Sequence, residues 1–217
     1  MAINRVKGKR ILITAGPTWV AIDPVRVISN IATGETGILL AEKLQQLGAR
    51  VTLLLGPVSE SSLKGKIRLI RYKFFNELKE KIVQELSSHK YDAVIHSAAV
   101  SDYQPRNFYS HKVKSGLKNF QIPLRPTEKI INLIRKVSPV LVIVGFKFQP
   151  QAKRAMLLRE AEKLMQQAGL DLVVANTVAN GRYQAYIIDS FRNATSIFTA
   201  KESLVKGLIK SIDTLIR

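Results

Sequence analysis

ILITAGPT at residues 11–18, GILLAEKLQQL at 37–47 and RVTLLL at 50–55 decide the fold. The first and last hold continuous runs of Ile, Leu and Val without polar alternation, the reading of strands covered on both faces. Between them Leu40, Leu44 and Leu47 recur at i, i+4 and i+7, one face of a helix, and Gly48 stops it. A strand, a helix and a second buried strand make a parallel pair with a right-handed crossover.

The same rhythm continues outward. Further buried strands are expected at 67–72, 93–98, 141–146 and 172–175. Helices are expected at 76–86, at 127–137 with Thr127 as N-cap, and at 151–168 closed by Gly169. This alternation predicts the α/β class: a doubly wound, Rossmann-like, mostly parallel sheet with helices on both faces. Residues 183–188 and 194–199 read as a hairpin around 190–193, and a terminal helix starts at Lys201. Residues 103–126 break the rhythm. They are polar, basic and punctuated by Pro105, Gly116 and Pro123, the reading of a basic flap or arm. With no internal repeat and no low-complexity linker, residues 1–217 read as a single nucleotide-binding domain.

Composition narrows the function classes. An apolar fraction of 46% suits a globular core, and no run approaches the roughly 18 apolar residues of a membrane helix. The basic N-terminus is not followed by an apolar signal core, so neither signal peptide nor membrane anchor is read, and a cytoplasmic location is expected. The absence of cysteine excludes disulfides, thiolate metal sites and a cysteine nucleophile. His89, His96 and His111 share no ligand spacing, so no metal residues are assigned. The net charge of +18 favours anionic partners, but the basic residues are dispersed and no nucleic-acid motif accompanies them. A solvated basic surface is the plainer reading, and nucleic acid is not expected as a partner.

In an open parallel sheet, ligands sit beyond the carboxyl ends of the strands. Here those ends are Gly16-Pro17-Thr18, Gly56-Pro57-Val58, residues 98–102, Gly145-Phe146-Lys147, and Asn176. All carry small or polar residues, which let a ligand approach the backbone. The first connection, from Gly16 to Gly37, is far longer than the usual 2–6 residues or so. Its end, Thr33-Gly34-Glu35-Thr36-Gly37, offers free N–H groups and a helix dipole to a phosphate. Arg26 can make a two-point contact with a carboxylate or phosphate, and Asn30 offers a donor and an acceptor together. A nicotinamide enzyme is disfavoured: GxGxxG is absent, the second strand ends in Gly56-Pro57 rather than an acid, and no Tyr-x-x-x-Lys occurs.

At these residues the chain resembles the phosphopantothenoylcysteine synthetase family (phosphopantothenate–cysteine ligases), standing alone without the fused flavin decarboxylase. Four segments carry the resemblance in order: residues 13–18 continuing through Asp23-Pro24-Val25-Arg26 and Ser29-Asn30 to Gly34 and Gly37; residues 98–103; His111-Lys112-Val113-Lys114-Ser115; and Gly145-Phe146-Lys147 with residues 170–176. The resemblance implies a ligase of coenzyme A biosynthesis. The carboxylate of 4′-phosphopantothenate is activated as an acyl-nucleotide, with Mg²⁺ and with CTP favoured over ATP as co-substrate. Cysteine then displaces the nucleotide to form the amide. It also implies catalytic roles for Asn30, Arg26, Lys112 and Lys114; substrate contacts from Ala98, Ala99 and Asp102; and nucleotide contacts from Gly16, Thr33, Gly34, Gly37, Phe146 and Asn176. Human-type members keep only the first lysine of the pair, which ranks Lys112 above Lys114. A homodimer built partly by the arm is a further implication.

Three departures stand out. Ala32-Thr33 replaces two hydroxyl residues, Trp19-Val20-Ala21 is bulky where charges are common, and Gln149-Pro150 replaces a Glu-Thr pair. The amide in place of a carboxylate supports an alternative reading, a nucleotide-binding protein of the same fold with lost or altered catalysis.

Overall fold

The computed structural model describes residues 4–58 and 63–216. Residues 1–3, 59–62 and 217 of the expected 1–217 domain lie outside the described residues. In chain order the elements are β1 (Arg10–Ala15), β2 (Trp19–Asp23), β3 (Arg26–Ser29), α1 (Glu35–Gln46), β4 (Arg50–Leu55), β5 (Arg68–Arg71), α2 (Phe75–Ser88) and β6 (Ala93–His96). Then come β7 (Tyr103–Pro105), β8 (Leu124–Pro126), α3 (Ile130–Val137), β9 (Val142–Phe148), α4 (Arg154–Ala168), β10 (Leu172–Ala179), β11 (Arg182–Asp189) and α5 (Lys201–Leu215).

Among the described residues, seven strands form one sheet in the order β11-β10-β9-β6-β1-β4-β5. All neighbouring pairs are parallel except β10 with β11. The chain winds outward from β1 in one direction through β4 and β5, then returns to its other side through β6. The topological switch point therefore lies between β1 and β6, where such sheets open a crevice.

The continuous apolar runs serve two cores at once. Ile11, Ile13 and Ala15 of β1 join a cluster with Leu40, Ala41 and Leu44 of α1 and Leu204, Leu208 and Ile212 of α5. Leu12 joins the opposite cluster, with Leu78 and Ile82 of α2, Ile130 and Ile134 of α3, and Leu157 and Ala161 of α4. The doubly wound, Rossmann-like expectation is met.

Four local expectations change. The connection after β1 is not an open loop, because β2 and β3 pair antiparallel within it. Asp23 Oδ1 accepts the Val25 and Arg26 amides, both at 2.9 Å, and with Pro24 closes the turn. Thr127 is not a helix cap: α3 starts after Lys129, and the Thr127 hydroxyl donates to the Ser101 carbonyl at 2.7 Å. The helix expected from 151 begins at Arg154, since Gln151 takes a left-handed φ of 56°. The C-terminal hairpin joins β10 to β11 through Asn180 (φ 50°) and Gly181 (φ 72°). Asn-Gly supplies the two positive φ values that a tight hairpin turn needs. Residues 194–199 form no strand; they touch β11 through bridges at Ala194–Ile188 and Phe198–Ala185.

Candidate active site

The site is built on the carboxyl ends of β1 and β6. Ala99 N donates to Gly16 O at 2.9 Å and Thr18 N to Ala99 O at 3.3 Å, a short parallel bridge that stitches the two strand-end loops together. Thr18, fully buried, extends the stitch: its hydroxyl accepts the Ser101 amide at 2.9 Å and its carbonyl the Ser29 hydroxyl at 3.2 Å. Buried Tyr72 supports the floor by donating to Ala15 O at 2.8 Å.

Beneath the loops, glycines allow backbone to lie against backbone. Gly16 (φ 81°) and Gly34 (φ 72°) adopt left-handed conformations, and a Cβ on Gly34 would stand 3.2 Å from Gly16 N. Gly34 is the residue from which α1 starts, so its neighbour Gly16 lies at the positive end of that helix. Thr33 Oγ1 accepts the Glu35 amide at 3.4 Å, a weak half-cap on the same terminus. Gly37 has a different reason to be glycine: a Cβ there would sit 2.4 Å from Ala15 Cβ, so its absence lets α1 pack on β1.

Asn30 leaves the β2–β3 hairpin and spans the crevice. Its Nδ2 donates to Val100 O at 3.0 Å and Ala99 O at 3.3 Å. The structure thus unites Asn30 with Ala99 and Val100, residues far from it in sequence. Asp102 is exposed at the rim and paired with Lys129 Nζ at 2.6 Å. Arg26 Nη1 is shared between Asp23 Oδ2 at 3.0 Å and the Val113 carbonyl at 3.1 Å, so Arg26 contacts the arm. Lys112 and Lys114 flank that contact and are exposed.

Phe146, Asn176 and Tyr183 share one face of the sheet. Phe146 and Tyr183 are half-buried against the core that α1 and α5 cover. Asn176 pairs in register with Ala185 of the same core. Asn176 Oδ1 and the Tyr183 hydroxyl are buried, with no well-formed hydrogen bond among the described residues, although the Asn176 side chain lies close enough to the hydroxyl to interact with it. Burial pushes the Tyr183 hydroxyl up to about 12. Gln149, the departing residue, donates its backbone N–H to the Asn176 backbone carbonyl at 3.0 Å, so its main chain runs beside this pair.

Sequence reasoning passed over Thr14, His96 and the part Asp23 plays. Thr14 Oγ1 lies 2.8 Å from His96 Nδ1 and 3.3 Å from the Ala98 amide, and Ser97 Oγ donates to Thr14 O at 2.7 Å. His96 lies at the end of β6, and burial lowers it from 6.5 to about 4. A histidine held neutral in the fold while the unfolded chain takes up a proton loses stability as pH falls from about 6.5 toward 4, by about 3 kcal/mol at the lower end. Urea midpoints measured from pH 7 to pH 4 should show this decline, and His96→Gln should flatten it. An equal slope in both proteins would remove His96 as the cause.

Among the described residues, no group of three or more His, Asp or Glu converges as a metal cage. No helix of the described residues is long and apolar enough to cross a membrane.

Residues 6–211 match the model of the DNA/pantothenate metabolism flavoprotein C-terminal domain family. The chain belongs to that family. It is similar to the coenzyme A biosynthesis bifunctional protein CoaBC of Thermococcus kodakarensis, 39% identical over 80% of this chain and 42% of that protein. The chain therefore spans about two fifths of the length of this relative and of the CoaBC protein of Bacillus subtilis, to which it is 37% identical over 81% of its length. The solved C-terminal domain of a CoaBC protein superposes with a TM-score of 0.80 at 26% identity, covering 98% of both chains. The DNA/pantothenate metabolism flavoprotein of Streptococcus pneumoniae gives 0.85 at 24% identity, covering 96% of this chain and all of that one, and shares the fold. The family's C-terminal domain is thus present over nearly the whole described chain, with the Gly16–Asn30 and Ala98–Asp102 segments at its switch point.

Proposed function

We propose that the chain is a phosphopantothenate–cysteine ligase of coenzyme A biosynthesis. The observation that carries this reading is the bond pair from Asn30 to Ala99 and Val100 across the crevice between β1 and β6. It brings the residue expected to handle the acyl group onto the loop expected to bind substrate, beside the Gly16–Gly34 cradle. The family membership and the bifunctional relatives support the same reading.

In this reading the carboxylate of 4′-phosphopantothenate attacks the α-phosphate of a nucleoside triphosphate and releases pyrophosphate. The cysteine amine then attacks the acyl carbon, the nucleoside monophosphate leaves, and the amine proton is lost to solvent or base. The protein's task is largely electrostatic, since both steps concentrate negative charge. Gly16, Gly34 and the start of α1 present N–H groups and a dipole to phosphate. Asn176 and Tyr183 set an amide and a hydroxyl side by side, a polar pair suited to the nucleoside. Mg²⁺ would enter mainly on the triphosphate, which needs few protein carboxylates, and would neutralise charge there. Asp102 is a carboxylate at the crevice rim, paired there with Lys129. CTP is favoured over ATP. A homodimer is proposed from the exposed apolar side chains Val25, Val27 and Ile31 of the hairpin segment and Phe108 and Leu117 of the arm.

The test is direct. Protein mixed with phosphopantothenate, cysteine, Mg²⁺ and either CTP or ATP should release pyrophosphate and CMP or AMP. Turnover with neither nucleotide overturns the ligase reading. Nucleotide binding by calorimetry without product would then favour a binding protein of the same fold, a reading motivated by Gln149 in place of the expected carboxylate.

Lys112→Gln should slow pyrophosphate release about 100-fold, the scale for removing one fixed donor to a developing charge. Lys114→Gln should slow it less. Single-turnover release of pyrophosphate measures both, and the reverse ranking would exchange their roles.

A further inference from the structure

The arm carrying Lys112 and Lys114 has few structural means of holding a position. Its base is the three-residue ladder of β7 with β8, and the two lysines are exposed. What locates them is a buried carboxylate on another element.

Asp23 ends β2, and only 2% of its surface is exposed. Both of its oxygens are occupied. Oδ1 accepts the Val25 and Arg26 amides of its own turn. Oδ2 accepts Arg26 Nη1 at 3.0 Å and the Val113 amide at 3.1 Å. Arg26 Nη1 in turn donates to the Val113 carbonyl at 3.1 Å. The Val113 N–H belongs to the peptide plane it shares with Lys112, and the Val113 C=O to the plane it shares with Lys114. Peptide planes are rigid, so fixing both of them fixes where the Cα atoms of the two lysines stand. Tyr109 N, bonded to Ile22 O at 3.0 Å, tethers the preceding stretch of the arm to the same strand.

We propose that Asp23 is a positioning residue: with Arg26 it forms a clasp on Val113 that sets Lys112 and Lys114 for activation of the substrate carboxylate. The proposal rests on the ligase reading for its chemistry and on geometry for the clasp. A buried carboxylate is costly unless hydrogen-bonded, and this one has four donors, including one from the arm. Burial acts to raise Asp23, but the Val25, Val113 and Arg26 amides and then the Arg26 charge hold it below the usual carboxylate range. The clasp is thus made with an ionised group. It also gives Arg26 a task beyond the two-point contact with a carboxylate or phosphate expected of it.

The test is Asp23→Asn, which keeps the size of the side chain and leaves a single oxygen for the turn and the arm together. With its oxygen retained by the turn, its NH₂ faces two donors, the Val113 amide and Arg26. Trypsin without any ligand should then cut after Lys112 or Lys114 about tenfold faster than in the parent, with other cuts unchanged. Pyrophosphate release should fall about 10- to 100-fold, the cost of a small misplacement, while KM for cysteine stays the same. Val113→Pro, which removes the arm's donor and leaves the turn intact, should reproduce the slower pyrophosphate release and the faster cut after Lys114, the Lys112–Pro bond itself being resistant to trypsin, if Asp23→Asn fails to fold. Unchanged cutting overturns the clasp. Faster cutting with unchanged kcat overturns the positioning role. A parent protein that turns over neither nucleotide overturns the ligase reading and the positioning role with it, leaving the digestion to judge the clasp by itself.

Discussion

Asn30→Asp should release pyrophosphate from phosphopantothenate and nucleotide yet fail to pass the acyl group to cysteine, with amide formation falling about 1000-fold. The parent Nδ2 is committed to the Ala99 and Val100 carbonyls, so the amide oxygen is the acceptor left over. An aspartate keeps that acceptor but loses both donor bonds and sets a charged oxygen against two carbonyl oxygens. Asn30 is exposed, so the cost is the two lost donor bonds and the repulsion of a carboxylate from two carbonyl oxygens, which frees the hairpin from the loop. Activation, which relies on the glycine cradle and the arm, survives; transfer, which needs the acyl carbon held against the Ala98–Ala99 loop, does not. Rapid-quench detection of an accumulating acyl-nucleotide would establish the expected block. If pyrophosphate release is lost together with amide formation, Asn30 serves the first step instead.

The second large effect is on stability. Gly37→Ala is expected to cost about 3 kcal/mol and to lower Tm by about 10 °C, although alanine is the better helix former by up to about 1 kcal/mol. The clash decides the sign. The added methyl would stand 2.4 Å from Ala15 Cβ and 2.7 Å from Ser97 Oγ. Ala15 is fixed on β1, so α1 must move off the sheet and carry Gly34 and Thr33 with it. Gly116→Ala is the control. It has nothing within 4 Å, and its φ of 84° should cost only about 1–2 kcal/mol of backbone strain. Thermal melts of both variants settle the comparison, and a Gly37→Ala protein melting with its parent would refute the packing account.

The central strands and the helices around them are legible in the sequence because each strand is a continuous apolar run feeding two cores. The β2–β3 hairpin is harder to see. Its strands are short and buried irregularly, so Asp23-Pro24 is the main local sign of a turn. Asn180-Gly181 is a strong hairpin signal that the reading placed at 190–193 instead. For the site, the residue types in the Gly16–Asn30 and 98–102 segments are readable, but their contacts are not. Asn30 and Val100 lie 70 positions apart, and the Asp23–Val113 bond spans 90. No local pattern encodes such a pairing; it follows only once β1 and β6 lie side by side.

The two edges of the seven-stranded sheet are closed by different means. On β11, the chain's return through 194–199 takes up outward backbone groups: Ala185 and Phe198 exchange bonds at 2.9 and 2.8 Å, and Thr195 N donates to Ile187 O at 3.0 Å. On the other side β5 is only four residues long and begins and ends in arginine. An unpaired strand is a template on which a second molecule can add its own. Here one border is occupied by the chain itself and the other is too short and too charged to extend, so the sheet resists growing into a fibre-like stack while the hairpin and arm remain open to ordered self-association.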